Sequence, residues 1–170
     1  ASAENSYEVF MIIAELYKCE DISNAAVAED LMKVNADSLG AVGRAKFDEL
    51  TGKIYPDACK KQYRAAKEAY DSGEYDTVIS SLETVMQMDE SYNDGAAMLL
   101  LAQGYEKKAD QDKANTTYQK IIETWPDTDV ATQAQQALDA QSGNTDNSDS
   151  KKSDDTKKNS DNDDNGDNNN

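Results

Sequence analysis

Gly73-Glu74-Tyr75…Val78…Leu82…Val85 returns downstream as Ala109-Asp110-Gln111…Ala114…Tyr118…Ile121, at a constant offset of 36 positions. Each copy reads as helix, tight turn, helix, with a small residue at the turn and apolar residues every three or four positions after it. A fixed period of this size marks an array of helical hairpins, in which each hairpin buries its apolar face only against its neighbours. The fold expected is all-α, and such arrays bind other macromolecules far more often than they catalyse.

Around the second copy the run Met98-Leu99-Leu100-Leu101-Ala102-x-x-Tyr105 leads to Ala114, Tyr118, Ile121 and Pro126. This skeleton resembles the tetratricopeptide repeat, with Met98 at the position where Trp is commonest, Ala102 at the Gly position, Ala114 at the inter-helix Ala and Pro126 at the terminating Pro. The first copy keeps Ala66, Gly73, Tyr75 and Leu82 but carries Gln62, Val78 and Glu90 at the other signature positions. Its period exceeds the family's usual ~34 residues, and Ser91-Tyr92-Asn93-Asp94 is where the extra residues are expected. The resemblance covers about residues 59–126 and implies a right-handed solenoid of antiparallel helical hairpins. The segment Glu106 to Leu138, with Ala114, Tyr118, Trp125-Pro126-Asp127-Thr128 and the Ala-spaced positions after it, is similar to the bacterial envelope branch of the family. That likeness implies an extracytoplasmic scaffold or adaptor of a single-pass membrane protein, recognising a protein or peptide partner.

Three regions follow along the chain. Residues 1–58 read as degenerate helices of the same kind, 59–141 as two hairpins plus a capping helix, and 142–170 as a tail. The tail is composed of Ser, Thr, Asn, Asp, Lys and Gly only. It cannot bury enough apolar surface to offset its ordering entropy and is expected to be disordered. Within it, Asp161-Asn162-Asp163-Asp164-Asn165-Gly166 matches the start of a calcium loop, but no Glu closes the loop, so diffuse cation association is the favoured reading. Upstream, helices are expected near 5–19 behind an Asn5/Ser6 cap, from Ser23 to about 35, over 38–54, and from Pro56 to about 71, with breaks at Asn35-Ala36-Asp37 and Tyr55-Pro56. Leu39, Val42, Phe47, Leu50 and Ile54 are the apolar positions of the 38–54 helix, and Gly40 and Gly43 allow close helix contact. Further helices are expected over 74–88, 92–108, 111–124 and 128–140. In the last, Gln133, Gln135, Gln136 and Asp139 suit the polar outer face of a cap.

Charge narrows the partners. The formal net charge is −17, of which eight Asp and four Lys in the tail supply −4, leaving −13 on residues 1–141. Nucleic acid needs a basic face to displace counterions from phosphates, and the sole basic cluster is Lys60-Lys61-Arg64-Lys67. It reads better as a solvated helix face in which Arg64 pairs with Glu68. Anionic membranes are disfavoured for the same reason. No apolar stretch reaches membrane-spanning length. The chain starts Ala-Ser-Ala, and a piece of a longer protein with any anchor upstream is expected.

No cofactor or metal site and no enzyme activity are expected. The chain has no His, which removes Ser-His-Asp and Cys-His catalysis and most zinc sites. Cys19 and Cys59 lack close spacing, and free thiols are favoured over a disulfide between them. Met86, Met88 and Met98 fall where hairpins interlock and read as core. If the repeats pack as the resemblance implies, the first helix of each hairpin lines a concave groove. That makes Lys60, Tyr63, Lys67 and Tyr70 of the first copy, and Ala96, Leu99, Gln103 and Glu106 of the second, the candidate partner-binding residues. Tyr63 and Tyr70 offer large contact area at low entropy cost, though packing under the preceding helix is an equal alternative. The competing function is a structural spacer or self-associating homo-oligomeric ectodomain.

Overall fold

A computed structural model describes residues 3–18 and 24–145. Among the described residues seven α-helices follow one another: α1 (Ala3–Leu16), α2 (Asn24–Met32), α3 (Gly40–Ser72), α4 (Tyr75–Met88), α5 (Ala96–Lys107), α6 (Gln111–Thr124) and α7 (Asp129–Thr145). A short 3-10 turn, Ala36–Ser38, precedes α3. The chain is all-α, with no strand among the described residues. From α2 to α7 each helix packs on the next, and α5 also touches α3 and α7.

The two repeat copies are built alike. Gly73 has φ +77 and Ala109 φ +59. The amide of Glu74 donates to the Ala69 carbonyl at 2.9 Å, and 36 positions later Asp110 donates to Tyr105 at 3.0 Å. Both pairs are the longer hydrogen bond of a helix-terminating left-handed motif, which returns the chain for an antiparallel partner. Beyond the turns, Val78 and Ala114, Leu82 and Tyr118, and Val85 and Ile121 are all essentially inaccessible. The equivalent small residues before the turns, Ala66 and Ala102, are fully buried as well. The 36-residue offset in sequence is therefore an offset in packing environment.

Two apolar clusters result. One joins the C-terminal half of α3 to α4, α5, α6 and α7 around Leu82, Val85, Met98, Tyr105, Tyr118 and Ile121. The other gathers Phe10, Ile13, Val27, Leu31, Leu50 and Ile54 from α1, α2 and the N-terminal half of α3. Met88 packs against both, and Met86 and Met98 also belong to the first, as their spacing suggested.

Several boundaries differ from expectation. The break at Tyr55-Pro56 does not exist, because α3 runs through Pro56 for 33 residues. Proline there removes the hydrogen bond to the Gly52 carbonyl and its ring crowds that carbonyl. Gly52 and Pro56 are both exposed, so water can satisfy that carbonyl, while buried Leu50, Ile54, Ala58 and Cys59 hold the helix from its inner side. Helix α1 already includes Asn5 and Ser6, which are therefore not its cap. Val42 is 71% exposed rather than in the core. It points away because its neighbour Gly43 takes the inward position, where a Cβ would meet the Tyr7 ring at 3.2 Å.

Helix α5 starts at Ala96, not 92, because Asn93, Asp94 and Gly95 all have positive φ. The extra residues thus form a loop over 89–95. Its first turn is closed by Asp89, whose Oδ1 accepts from the Ser91 amide at 3.0 Å and hydroxyl at 2.8 Å. After α6, Thr128 initiates α7 with its hydroxyl accepting from the Ala131 amide at 3.3 Å. Helix α7 continues to Thr145, a few residues into the segment read as tail. The rest of that tail, the calcium-like stretch 161–166 and Cys19 lie outside the described residues.

Candidate binding surfaces

Lys60, Tyr63, Lys67 and Tyr70 recur at three- and four-residue steps on α3 and share one face of it. The lysines are exposed and the tyrosines half-buried against the larger core. Tyr63 meets Tyr92 of the 89–95 loop edge-on at 5.7 Å between ring centroids. The Lys67 ammonium stands 5.9 Å from the Tyr63 centroid, at cation–π distance. Tyr70 makes a second edge contact, with Tyr75 at 5.6 Å. Each tyrosine therefore has one side fixed by an aromatic neighbour and another accessible. The expected surface pair Arg64–Glu68 is present at 3.8 Å.

On α5 the second set divides. Leu99 is 8% exposed and belongs to the core, so it lines no groove. Ala96, Gln103 and Glu106 are half-buried. Glu106 Oε2 accepts from the Tyr118 hydroxyl at 2.7 Å, tying α5 to α6. A parallel bond runs from the Tyr105 hydroxyl to Glu83 Oε1 at 2.7 Å, tying α5 to α4.

Glu106 also stands at the edge of a cleft of about 850 Å³ that sequence reasoning did not single out. Gln111, Asn115 and Gln119 of α6 form one wall, and Gln135, Asp139 and Gln141 of α7 the other. Asn115 Oδ1 and Gln141 Nε2 are buried and have no hydrogen-bond partner. Asp139 Oδ1 accepts from Gln135 Nε2 at 2.8 Å, which orients both side chains. The signal available in sequence was the four-residue spacing of amides on α6, which reads as an ordinary polar face until α7 is placed opposite.

Burial is the main cause raising the hydroxyl pKa of both Tyr105 and Tyr118, with their carboxylate partners Glu83 and Glu106 adding to it. The Cys59 thiol, fully buried and free, is pushed up to about 11 mainly by burial. It is not a nucleophile at neutral pH. For the tyrosines the neutral form is favoured by folding, so their contribution is fully present below the unfolded value near 10.0 and is lost as pH rises towards the folded value. Stability is expected to begin falling above about pH 9, where the Cys59 thiol of the unfolded chain ionises, and to fall more steeply above about pH 10, where the two tyrosines join it. Urea titrations at successive pH values should show a shallower alkaline decline in the Tyr105→Phe/Tyr118→Phe variant. An unchanged slope would mean these hydroxyls are not the groups responsible.

No helix among the described residues is long and apolar enough to cross a membrane. Comparison with protein-family models, with curated proteins and with solved structures gave no significant match for the chain.

Proposed function

We propose that the chain is a protein-interaction module of the tetratricopeptide type, binding a protein or peptide segment through the face shared by α3 and α5. One observation carries this reading: two hairpins 36 residues apart repeat the same left-handed turn, the same closing hydrogen bond and the same buried positions. Repeated hairpins of this kind form extended surfaces suited to partner segments, and a solenoid arrangement of α3 to α7 is part of the proposal. Lys60, Tyr63, Lys67 and Tyr70, with Gln103 and Glu106, are the residues assigned to contact. Leu99 supports them from the core. The extracytoplasmic face of a bacterial envelope is the proposed location, on the likeness of the segment from Glu106 to Leu138. Catalysis has no part in the proposal.

A second reading is favoured by a different feature. Tyr7, Val9 and Ile12 of α1 and Val42 of α3 are large apolar side chains 40%, 42%, 59% and 71% exposed. Such exposure at the N-terminal end of the helix array suits self-association. Amide hydrogen exchange separates the two readings. Protection gained over 59–72 and 95–108 on adding solubilised envelope proteins of the source cells is the expected result. Protection gained over 7–16 and 40–46 merely on concentrating the chain would instead assign it to a self-associating spacer.

A further inference from the structure

From Ala58 to Lys67, α3 holds four bases, Lys60, Lys61, Arg64 and Lys67, and no acid, in a chain whose net charge is −17. Like charges three and four residues apart weaken a helix. Elsewhere the bases are answered by acids: Lys33 by Asp30, Arg44 by Asp48, Lys53 by Glu49 and Lys108 by Asp76. Lys60, Lys61 and Lys67 have no ion pair among the described residues. Of the acids around them, Glu68 stands 3.8 Å from Arg64, Asp89 closes its own turn, and Glu90 is held by Lys120. Tyr63 lies on the same face, with Tyr92 against its ring, and among the described residues no hydrogen bond engages either hydroxyl. A strip of ammonium and hydroxyl donors without acceptors fits an acidic segment.

The chain carries one. Residues 159–170, which include the calcium-like stretch 161–166, hold Asp161, Asp163, Asp164 and Asp167 and no base. Residues 1–141 carry −13, so the rest of the surface repels this segment and the strip attracts it. The strip is also within reach. Gly73 and Ala109 turn α3 onto α4 and α5 onto α6, Gly104 of α5 lies against Val78 of α4, and Gln111 of α6 lines one cleft with Gln141 of α7. Helices α3, α5 and α7 therefore run the same way, and α7 ends, at Thr145, at the same end of the array as Ser72. With α5 touching both α7 and α3 and packed helices about 8–10 Å apart, the crossing from α7 to α3 is about 16–20 Å. Lys60 is a further ~18 Å back along α3 from Ser72. The stretch from Thr145 to Asp161 spans up to about 53–58 Å when extended, enough for both legs. Each exposed ion pair is weak, but groups tethered on one chain meet at an effective concentration in the millimolar range, where several weak pairs together give occupancy.

We infer that the acidic segment 159–170 docks on the Lys60–Lys67 strip of its own α3 and competes with a partner for that face; this rests on the partner-binding reading above and assigns its regulation.

Zero-length carbodiimide coupling of the full chain is the test, because the amide forms only between an ammonium and a carboxylate in contact. An equimolar mixture of ordinary and nitrogen-15 chains, digested and read by mass spectrometry, separates coupling within a chain from coupling between chains. Lys107 is the control for chance encounter, since it ends α5, one helix from the origin of the tail. Lys60, Lys61 and Lys67 should couple to Asp161, Asp163, Asp164 or Asp167 within one chain at least about fivefold more than Lys107 does, and 1 M salt, where screening sets in within about 3 Å, should abolish the difference. Coupling as strong at Lys107, or coupling between chains only, overturns the inference. The variant Asp161→Asn/Asp163→Asn/Asp164→Asn/Asp167→Asn removes the charge and leaves the helices unaltered. Decapeptides selected on it from a random display library, and weakened by Lys60→Ala/Lys67→Ala, should bind it at least about threefold more tightly than the unaltered chain, through lost competition. Equal affinity for both chains, without coupling at the strip, overturns the tail contact and leaves the interaction module standing. Coupling at the strip with no peptide retained by either chain sustains the contact and removes the partner-binding reading.

Discussion

Tyr118→Ala should cost about 3–5 kcal/mol, the usual loss for truncating a fully buried aromatic side chain. The residue is 1% exposed and the largest of the fully buried side chains. Its ring fills the space between α6 and the hairpin before it, and its hydroxyl holds Glu106 on α5. Truncation would leave a cavity at the junction of the two candidate surfaces and release Glu106 together. Since domains are stable by only about 5–15 kcal/mol, the variant is expected to be largely unfolded at modest urea concentrations. Tyr118→Phe keeps the ring and removes one hydrogen bond, for about 1 kcal/mol. Urea midpoints followed by circular dichroism separate the two. Near-equal losses would mean that the hydroxyl, not the packing, is what matters there.

Gly95→Ala should be the next most damaging single change, at about 2–5 kcal/mol. Gly95 has φ +85, where an L side chain costs about 1–2 kcal/mol. An added Cβ would also lie 2.8 Å from a ring carbon of Trp125, with two more ring atoms within 3.1 Å. Displacing a packed ring adds about 1–3 kcal/mol of overpacking strain. Gly73→Ala is the matched control. Its φ is +77, but an added Cβ there meets nothing within 4 Å, so only the backbone strain is expected. Trp125 is the chain's single tryptophan, so its emission reports the displacement directly. If Gly95→Ala and Gly73→Ala lower the urea midpoint equally and Trp125 emission is unchanged, the ring relaxes without cost and the argument fails.

Periodicity carried most of what was legible in the sequence. Val78, Leu82, Val85 and their counterparts Ala114, Tyr118 and Ile121 had to face inward because their spacing follows the helical turn, and they do. Gly73 and Pro126 marked real ends for the same local reasons. The break at Pro56 was misread because proline's cost is local. What overrides it, the burial of Ile54, Ala58 and Cys59 against two different sets of helices, is tertiary. The start of α5 was misplaced because Asn93 and Asp94 take the left-handed region that short polar side chains tolerate, with no glycine at those two positions to signal it.

The candidate sites follow the same division. The α3 face could be drawn from spacing alone, but Tyr92 arriving on Tyr63 depends on a loop conformation that spacing does not encode. Leu99 shares its helical stripe with Gln103 and Glu106, yet lies deeper, in contact with the core. The cleft between α6 and α7 was invisible for a simpler reason. Neither wall is unusual by itself, and only their juxtaposition leaves two amide atoms without partners.

The continuous helix α3 bears on how the molecule can be divided. At 33 residues it is about 50 Å long, and it contributes Leu50, Ile54 and Ala58 to one core and Cys59, Ala66 and Ala69 to the other. Ala58 and Cys59 are consecutive, so cutting the chain between residues 58 and 59 would sever a rod rather than a hinge. Each product would keep a frayed half-helix and a core open on one side.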